Sequence, residues 1–306
     1  MGPFPHDAPK ATISPTNPAG TDGFEFVEFA HPDSAVLDRV FRQMGFVRVA
    51  RHRTKDITLY RQGDINYLLN ADPDSHAAGF VGEHGPCAPA MAWRVVDAQV
   101  ALKRALDLGA TEYTGPGKSI GAPAVYGIGG SLLYFIDKYG AEGSAYEADY
   151  AWLDEVNPRP EGFGFYYLDH LTHNVVRGNM DTWYRFYHDT FNFREIKYFD
   201  IRGRQTGLVS RALTSPDGKI RIPINESTDD HSQIEEYLRE YKGEGIQHIA
   251  CFTDDIYSTI EQMREKGIAF LDTPDTYFEV IDERIPNHGE DVERLARNKI
   301  LIDADP

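Results

Sequence analysis

Two short apolar stretches, residues 166–175 and 245–252, each carry a histidine where a half-buried strand would place a hydrophobic side chain: His170 and His248. A strand that buries one face rarely tolerates imidazole there without a partner. One such residue is ordinarily a core imidazole held by a hydrogen bond. Two of them point to a shared metal ion, since imidazole suits Zn, Fe, Ni or Cu. Strand alternation sorts the neighbours. His170, Thr172 and Asn174 share one face, while Asp169, Leu171 and His173 share the other, so His173 is not expected at the same metal. Cys251 falls opposite His248 and reads as a small core residue.

The elements that must carry these residues are written twice. Residues 24–29 read as a strand, 34–44 as a helix with Val36, Leu37, Val40 and Phe41 on one face, and 46–52, 56–62 and 65–70 as three strands. The His170 strand is followed in the same order by a helix over 180–190 and strands over 194–200, 207–214 and 219–225. A second unit repeats as well. The strand at 90–97 leads to a helix ending at Gly109, and the strand at 248–255 leads to one ending at Gly267, with equal spacing from Asp97 and from Asp255. Such repetition predicts an α+β fold of tandem βαβββ modules forming two pseudo-symmetric open barrels. The expected organisation is a flexible leader over 1–22, a non-metal barrel domain over 23–155 and a metal-binding domain over 156–306. In the alignment of the halves His170 matches Phe26 and His248 matches Ala90, so the metal site belongs to the second half alone.

Neither cysteine is placed to add sulfur, so the remaining ligands should be oxygen. That describes a two-histidine, one-carboxylate site with open positions, the arrangement of non-haem Fe(II) oxygenases. The turn sequence Ser215-Pro216-Asp217-Gly218 joins the strands at 207–214 and 219–225. A four-residue turn there pairs Ser210 with Pro223 and puts Ser210, Pro223 and Asn225 on one face. A hydroxyl and an amide in that position either bind the polar end of a substrate or hydrogen-bond within the sheet.

Composition limits the remaining choices. The chain has 306 residues, 41% hydrophobic, and a net charge of −17. The acidity excludes a nucleic-acid partner, whose phosphates would be repelled, but not an anionic small substrate at a buried metal. No apolar run approaches a membrane span and the first twenty residues lack the apolar block of a signal peptide, so a cytoplasmic protein is expected. Cys87 and Cys251 are too isolated for a disulfide scaffold or zinc ribbon.

From about Gly23 onward the chain resembles the 4-hydroxyphenylpyruvate dioxygenase family of the vicinal oxygen chelate superfamily. The likeness rests on Leu168-Asp169-His170-Leu171-Thr172-His173-Asn174-Val175, Phe191-Asn192-Phe193-Arg194-Glu195, Tyr198-Phe199-Asp200-Ile201, the stretch from Ser215 to Glu226, Gln233-Ile234-Glu235-Glu236 and Gly243-Glu244-Gly245-Ile246-Gln247-His248. The resemblance implies Fe(II) on His170 and His248, with Ser210, Asn225, Gln233 and Gln247 around the substrate phenol. Strand parity points Gln247 away from His248 unless the backbone twists locally. It also implies 4-hydroxyphenylpyruvate and O2 as substrates, homogentisate and CO2 as products in tyrosine and phenylalanine catabolism, no organic cofactor, and a homo-oligomer. Hydroxymandelate synthase uses the same substrate and metal triad; the Ile222-Pro223-Ile224-Asn225-Glu226 stretch resembles the ring-hydroxylating enzyme instead.

The family's third ligand is a glutamate on the last strand of the second half, the counterpart of residues 130–137, and that glutamate is expected beyond Pro306. Glu279, Glu283, Glu290 and Glu293 read as surface or turn carboxylates. The alternative is a catalytically silent, truncated binding protein, and a missing strand would expose a sheet edge prone to aggregation. The expected outcome is that this 306-residue chain with Fe(II) forms little or no homogentisate. Robust product formation in a coupled oxygen-uptake and chromatographic assay would show that no essential ligand is lacking.

Overall fold

The computed structural model describes residues 9–202 and 207–303; residues 1–8 of the expected leader and Pro306 lie outside the described residues. The first half runs β1 (Thr21–Ala30), α1 (Ser34–Gln43), β2 (Val47–His52), β3 (Ile57–Gln62), β4 (Ile65–Asn70), α2 (His76–His84), β5 (Cys87–Val95), α3 (Ala98–Asp107), β6 (Ala124–Tyr126), β7 (Leu132–Ile136) and β8 (Tyr150–Trp152). The second half begins with β9 (Phe165–Val175), α4 (Met180–Phe191), β10 (Arg194–Arg202), β11 (Gly207–Thr214) and β12 (Arg221–Ser227). It continues through α5 (Gln233–Tyr241), β13 (Gly245–Thr253), α6 (Ile256–Glu265), α7 (Asp275–Glu279), α8 (Ile281–Arg284) and α9 (Val292–Asn298). The repeated aspartates act as helix caps: Asp97 accepts from the Gln99 and Val100 N–H groups, and Asp255 from that of Ser258. Gly109 and Gly267 leave α3 and α6 at φ 94° and 89°, where a Cβ would be strained.

Two open sheets result, ordered β6-β7-β5-β1-β4-β3-β2-β8 and β10-β11-β12-β9-β13. In each half the first strand pairs in parallel with the fourth and antiparallel with the strand of the second unit. The registers superimpose. Glu28 faces Ala90 and Phe26 faces Ala92, as Thr172 faces His248 and His170 faces Ala250. His170 therefore stands where the first half has Phe26, and His248 where it has Ala90.

A core shared by both halves includes Trp93, Phe135, Leu171, Tyr187, Phe191 and Phe193, with the Trp93 and Phe193 rings stacked 5.2 Å apart. The other face of the first sheet is filled by Phe26, Leu68, Ala90, Ala92, Tyr134 and Tyr150, all buried. The corresponding face of the second sheet carries the histidines. His173 is on the far side, fully buried, with its Nε2 2.7 Å from the Tyr187 hydroxyl on α4. Both cysteines are free thiols. Among the described residues no helix is long and apolar enough to cross a membrane.

Four expectations are corrected. Ser210 faces Asn225 and Ala212 faces Pro223, so the hairpin is two residues out of the expected register. The last pair is Thr214–Arg221, and a six-residue loop is closed by the Ser215 N–H donating to the Ile220 carbonyl at 2.8 Å. A shift of two preserves parity, so Ser210, Pro223 and Asn225 still share a face. The leader is not free over its whole length. Asn17, Ala19, Thr21 and Asp22 are buried, and Lys219 is ion-paired to Asp22. The fourth unit is not βαβββ within the described residues: α6 is followed by α7, α8 and α9 around Phe278, Ile281 and Leu295. Glu279, Glu283, Glu290 and Glu293 on this segment are exposed, as expected. Finally, α5 was not anticipated, although Ser232 followed by Glu235 is a capping-box signature, and the Ser232 hydroxyl accepts from the Glu235 N–H at 3.3 Å.

Burial pushes the His173 imidazole down to about 3 from 6.5. Between those values the unfolded chain takes up a proton that the native chain refuses, so stability falls with falling pH by up to about 1.4 kcal/mol per unit. Urea unfolding across this acid range should show a steeper loss for the native protein than for H173Q. Parallel pH profiles would mean that His173 is not held neutral.

Candidate metal centre and substrate face

The site is built on the β9–β13 pair. His170 Nε2 and His248 Nε2 converge to 3.3 Å, with the rings at 78°. Each ring is held from behind at Nδ1. His170 Nδ1–H donates to Asp169 Oδ2 at 2.7 Å, and His248 Nδ1–H donates to Gln247 Oε1 at 2.5 Å. A carboxylate or amide oxygen only accepts, so the proton of each neutral ring sits on Nδ1 and each Nε2 presents a lone pair. The Thr172 hydroxyl donates to His248 Nε2 at 3.0 Å.

Two lone pairs facing each other repel unless a cation lies between them. Metal–imidazole bonds of about 2.0–2.1 Å at right-angled to tetrahedral geometry separate two nitrogens by about 2.9–3.4 Å. The observed spacing fits that range, and both histidines have the orienting partners expected of metal ligands. Among the described residues no group of three or more His, Cys, Asp or Glu side chains gathers at one point. The two histidines are thus the imidazoles that the structure brings together, without a third His, Cys, Asp or Glu beside them among the described residues.

Electrostatics support the same arrangement. Burial alone would raise the Asp169 carboxyl. Its hydrogen bond to His170 and the charge of Arg221, which is ion-paired to it, outweigh burial and hold it below the ordinary carboxylate range. Desolvation of the side of the ring that packs on the sheet, and then the neighbouring His170, lowers His248 and favours its neutral form.

The other expected residues fall into three groups. Ser210 faces Asn225, and Asn225 is the parallel partner of Asn174, so these lie on the histidine face together with Thr172 and Pro223. Asn225 Nδ2 is 3.5 Å from Asn174 Oδ1. Gln247 lies beside His248, contrary to plain strand parity, because β13 has an irregularity between Ile246 and His248. Gln233 is the exposed first residue of α5 and is not joined to the histidines by any hydrogen bond among the described residues. Cys251 Sγ is 3.2 Å from the Tyr67 hydroxyl in the core between the sheets, as a core residue should be.

Sequence reasoning missed Asp169 and Arg221, and it put Thr172 on the right face without giving it a role there. Alternation placed Asp169 on the wrong face, and nothing local in the sequence links Arg221 to it. The histidine face is open: His248 is exposed and the His170 side chain is 22% exposed. A separate cleft of about 860 Å³, lined by Arg61, Arg94, Trp152 and Tyr166 among others, does not include either histidine.

Comparison with known proteins gives the same reading. Residues 15–151 match the family described as hydroxyphenylpyruvate dioxygenase, N-terminal, and residues 167–280 match the glyoxalase/bleomycin resistance protein/dioxygenase superfamily. The chain is 51% identical to a 4-hydroxyphenylpyruvate dioxygenase of Pseudomonas aeruginosa, over 97% of this chain and 84% of that protein. It is 55% identical to the protein named hemolysin VllY of Vibrio vulnificus, over 96% of this chain and 84% of the relative. Among solved structures it resembles a xylose isomerase-like TIM barrel/4-hydroxyphenylpyruvate dioxygenase fusion protein, with a TM-score of 0.80 and 32% identity, covering 97% of this chain and 46% of the fusion. With this identity over nearly its whole length, the chain belongs to the 4-hydroxyphenylpyruvate dioxygenase family, within the glyoxalase and dioxygenase superfamily.

Proposed function

We propose that this protein is an Fe(II)-dependent 4-hydroxyphenylpyruvate dioxygenase, converting 4-hydroxyphenylpyruvate and O2 to homogentisate and CO2. The observation that carries the reading is the convergence of the two Nε2 atoms to 3.3 Å on an open sheet face, in a chain half-identical to proteins of that name. His170 and His248 hold the metal. When bound there, Fe(II) would supply the Lewis-acid and O2-activating chemistry that the reaction needs.

The protein's own contribution is placement. Asp169 and Gln247 keep the two Nε2 atoms free of protons and aimed at one point. Ser210 and Asn225, facing each other across β11 and β12, offer a hydroxyl and an amide to the phenol end of the substrate, with Pro223 as an apolar wall two residues along. Gln233, at the start of α5, is assigned to the same end by the family resemblance alone. In the first half β7 lies along β5 and brings Leu132 opposite Ala90, the counterpart of His248. Residues 23–155 then form the non-metal domain, its equivalent face filled with side chains.

Anaerobic calorimetry tests this. 4-Hydroxyphenylpyruvate should bind only in the presence of Fe(II), and H170A or H248A should weaken that binding by at least about tenfold. Under O2 any product formed should be homogentisate. Metal-independent binding, or 4-hydroxymandelate as the product, would overturn the assignment.

A further inference from the structure

The two strands that carry the ligands are both irregular beside the histidines. Between the pairs Leu168–Cys251 and His170–Ala250, β9 has one residue more than β13, and that residue is Asp169. Between Ile246–His173 and His248–Thr172, β13 has one residue more than β9, and that residue is Gln247. In regular strands successive side chains point to opposite faces. A bulge turns its extra residue out of that alternation and re-aims it. Here both extra residues immediately precede a histidine, and both put an oxygen on its Nδ1.

The bulges belong to the fold and not to the site. The first half has them at the equivalent places: Glu25 is the extra residue between Phe24–Trp93 and Phe26–Ala92, and β5 is one residue longer than β1 between Glu28–Ala90 and Ala30–Cys87. With Phe26 there in place of histidine, the Glu25 carboxylate accepts instead from Arg94 Nε at 2.6 Å and Asn66 Nδ2 at 3.3 Å. Pro89 stands where the second half has Gln247, a position that needs no ladder donor. The same backbone irregularities thus serve packing in one half and imidazole orientation in the other.

We propose that Asp169, charge-balanced by the buried Arg221, and Gln247 are paired positioning residues that use these bulges to fix the tautomers of His170 and His248. The inference deepens the metal-site reading and rests on it. The two supports are chemically unequal. A carboxylate acceptor backed by a guanidinium makes His170 the stronger donor, whereas an amide leaves His248 the weaker and more easily displaced one.

Long-range ¹⁵N–¹H correlation spectra of the metal-free protein with labelled histidines read the tautomers directly, and competition titration with Zn(II) reads affinity. Both histidines should be Nδ1–H tautomers. D169A should move His170 toward Nε2–H, and Q247A should do the same to His248 without altering His170. D169N, which keeps the shape and removes the charge, should cost about ten- to a hundredfold in Zn(II) affinity in a protein that still unfolds cooperatively, though at a lower temperature because Arg221 loses its ion pair, and should cost nothing more in an H170A background. If D169A does not fold, D169N carries the test. Zn(II) affinity within about twofold of the native protein in both D169N and Q247A, or a native Nε2–H tautomer at His170, would overturn the positioning roles. Zn(II) binding that survives H170A and H248A would overturn the metal site itself.

Discussion

The interaction on which the rest depends is the antiparallel pairing of β9 with β13, interrupted by one extra residue on each strand. That pairing brings together two histidines far apart in sequence and sets their Nε2 atoms at a ligand-pair spacing. It also turns Asp169 and Gln247 onto the rings from behind. An uninterrupted ladder would still juxtapose the histidines, but it would point both orienting side chains to the opposite face. Histidine at a metal needs a defined tautomer as much as a defined position.

The two halves show one backbone put to two uses. In the first sheet the face that would hold a metal is closed by Phe26, Leu68, Tyr134 and Tyr150, and the Phe26 and Tyr134 ring centroids lie 5.5 Å apart. A buried carboxylate remains there: Glu28, at the position of Thr172, accepts from Asn70 Nδ2 at 2.7 Å, and burial raises its carboxyl above the ordinary range. In the second sheet the same positions hold His170, Thr172 and His248 on an open face. The halves are not independent, because Trp93 of β5 packs with Tyr187, Phe191 and Phe193 at the end of α4. Filling one face stabilises the platform on which the other is left open.

Much of this was legible along the chain, for physical reasons that can be named. Hydrophobic periodicity located the strands, since burial selects side chains at a spacing fixed by backbone geometry. Duplication singled out the two histidines that meet, because Phe26 and Ala90 showed what the same backbone positions hold in the packed half. Parity placed His173 and Cys251 in the core correctly. It failed at Asp169 and Gln247, because a bulge is a property of two paired strands and leaves no mark in either one read alone. The hairpin was misjudged by two residues because Ser215 and Ile220 close a wider loop than the Pro216-Asp217 turn by itself requires. The Arg221–Asp169 ion pair joins β12 to β9, and no local pattern records it.

The sequence by itself determined the element types, the repeat, the two strand histidines that the fold brings together and the family, all of which follow from local periodicity and from motifs contiguous along the chain. Tertiary structure alone decided which nitrogen of each imidazole is free, which side chains hold the other nitrogen, and that one face of the duplicated sheet is packed while its twin is open. Those outcomes depend on the register between strands far apart in sequence. Register is set by how the assembled sheets share a core, and no single strand contains that information.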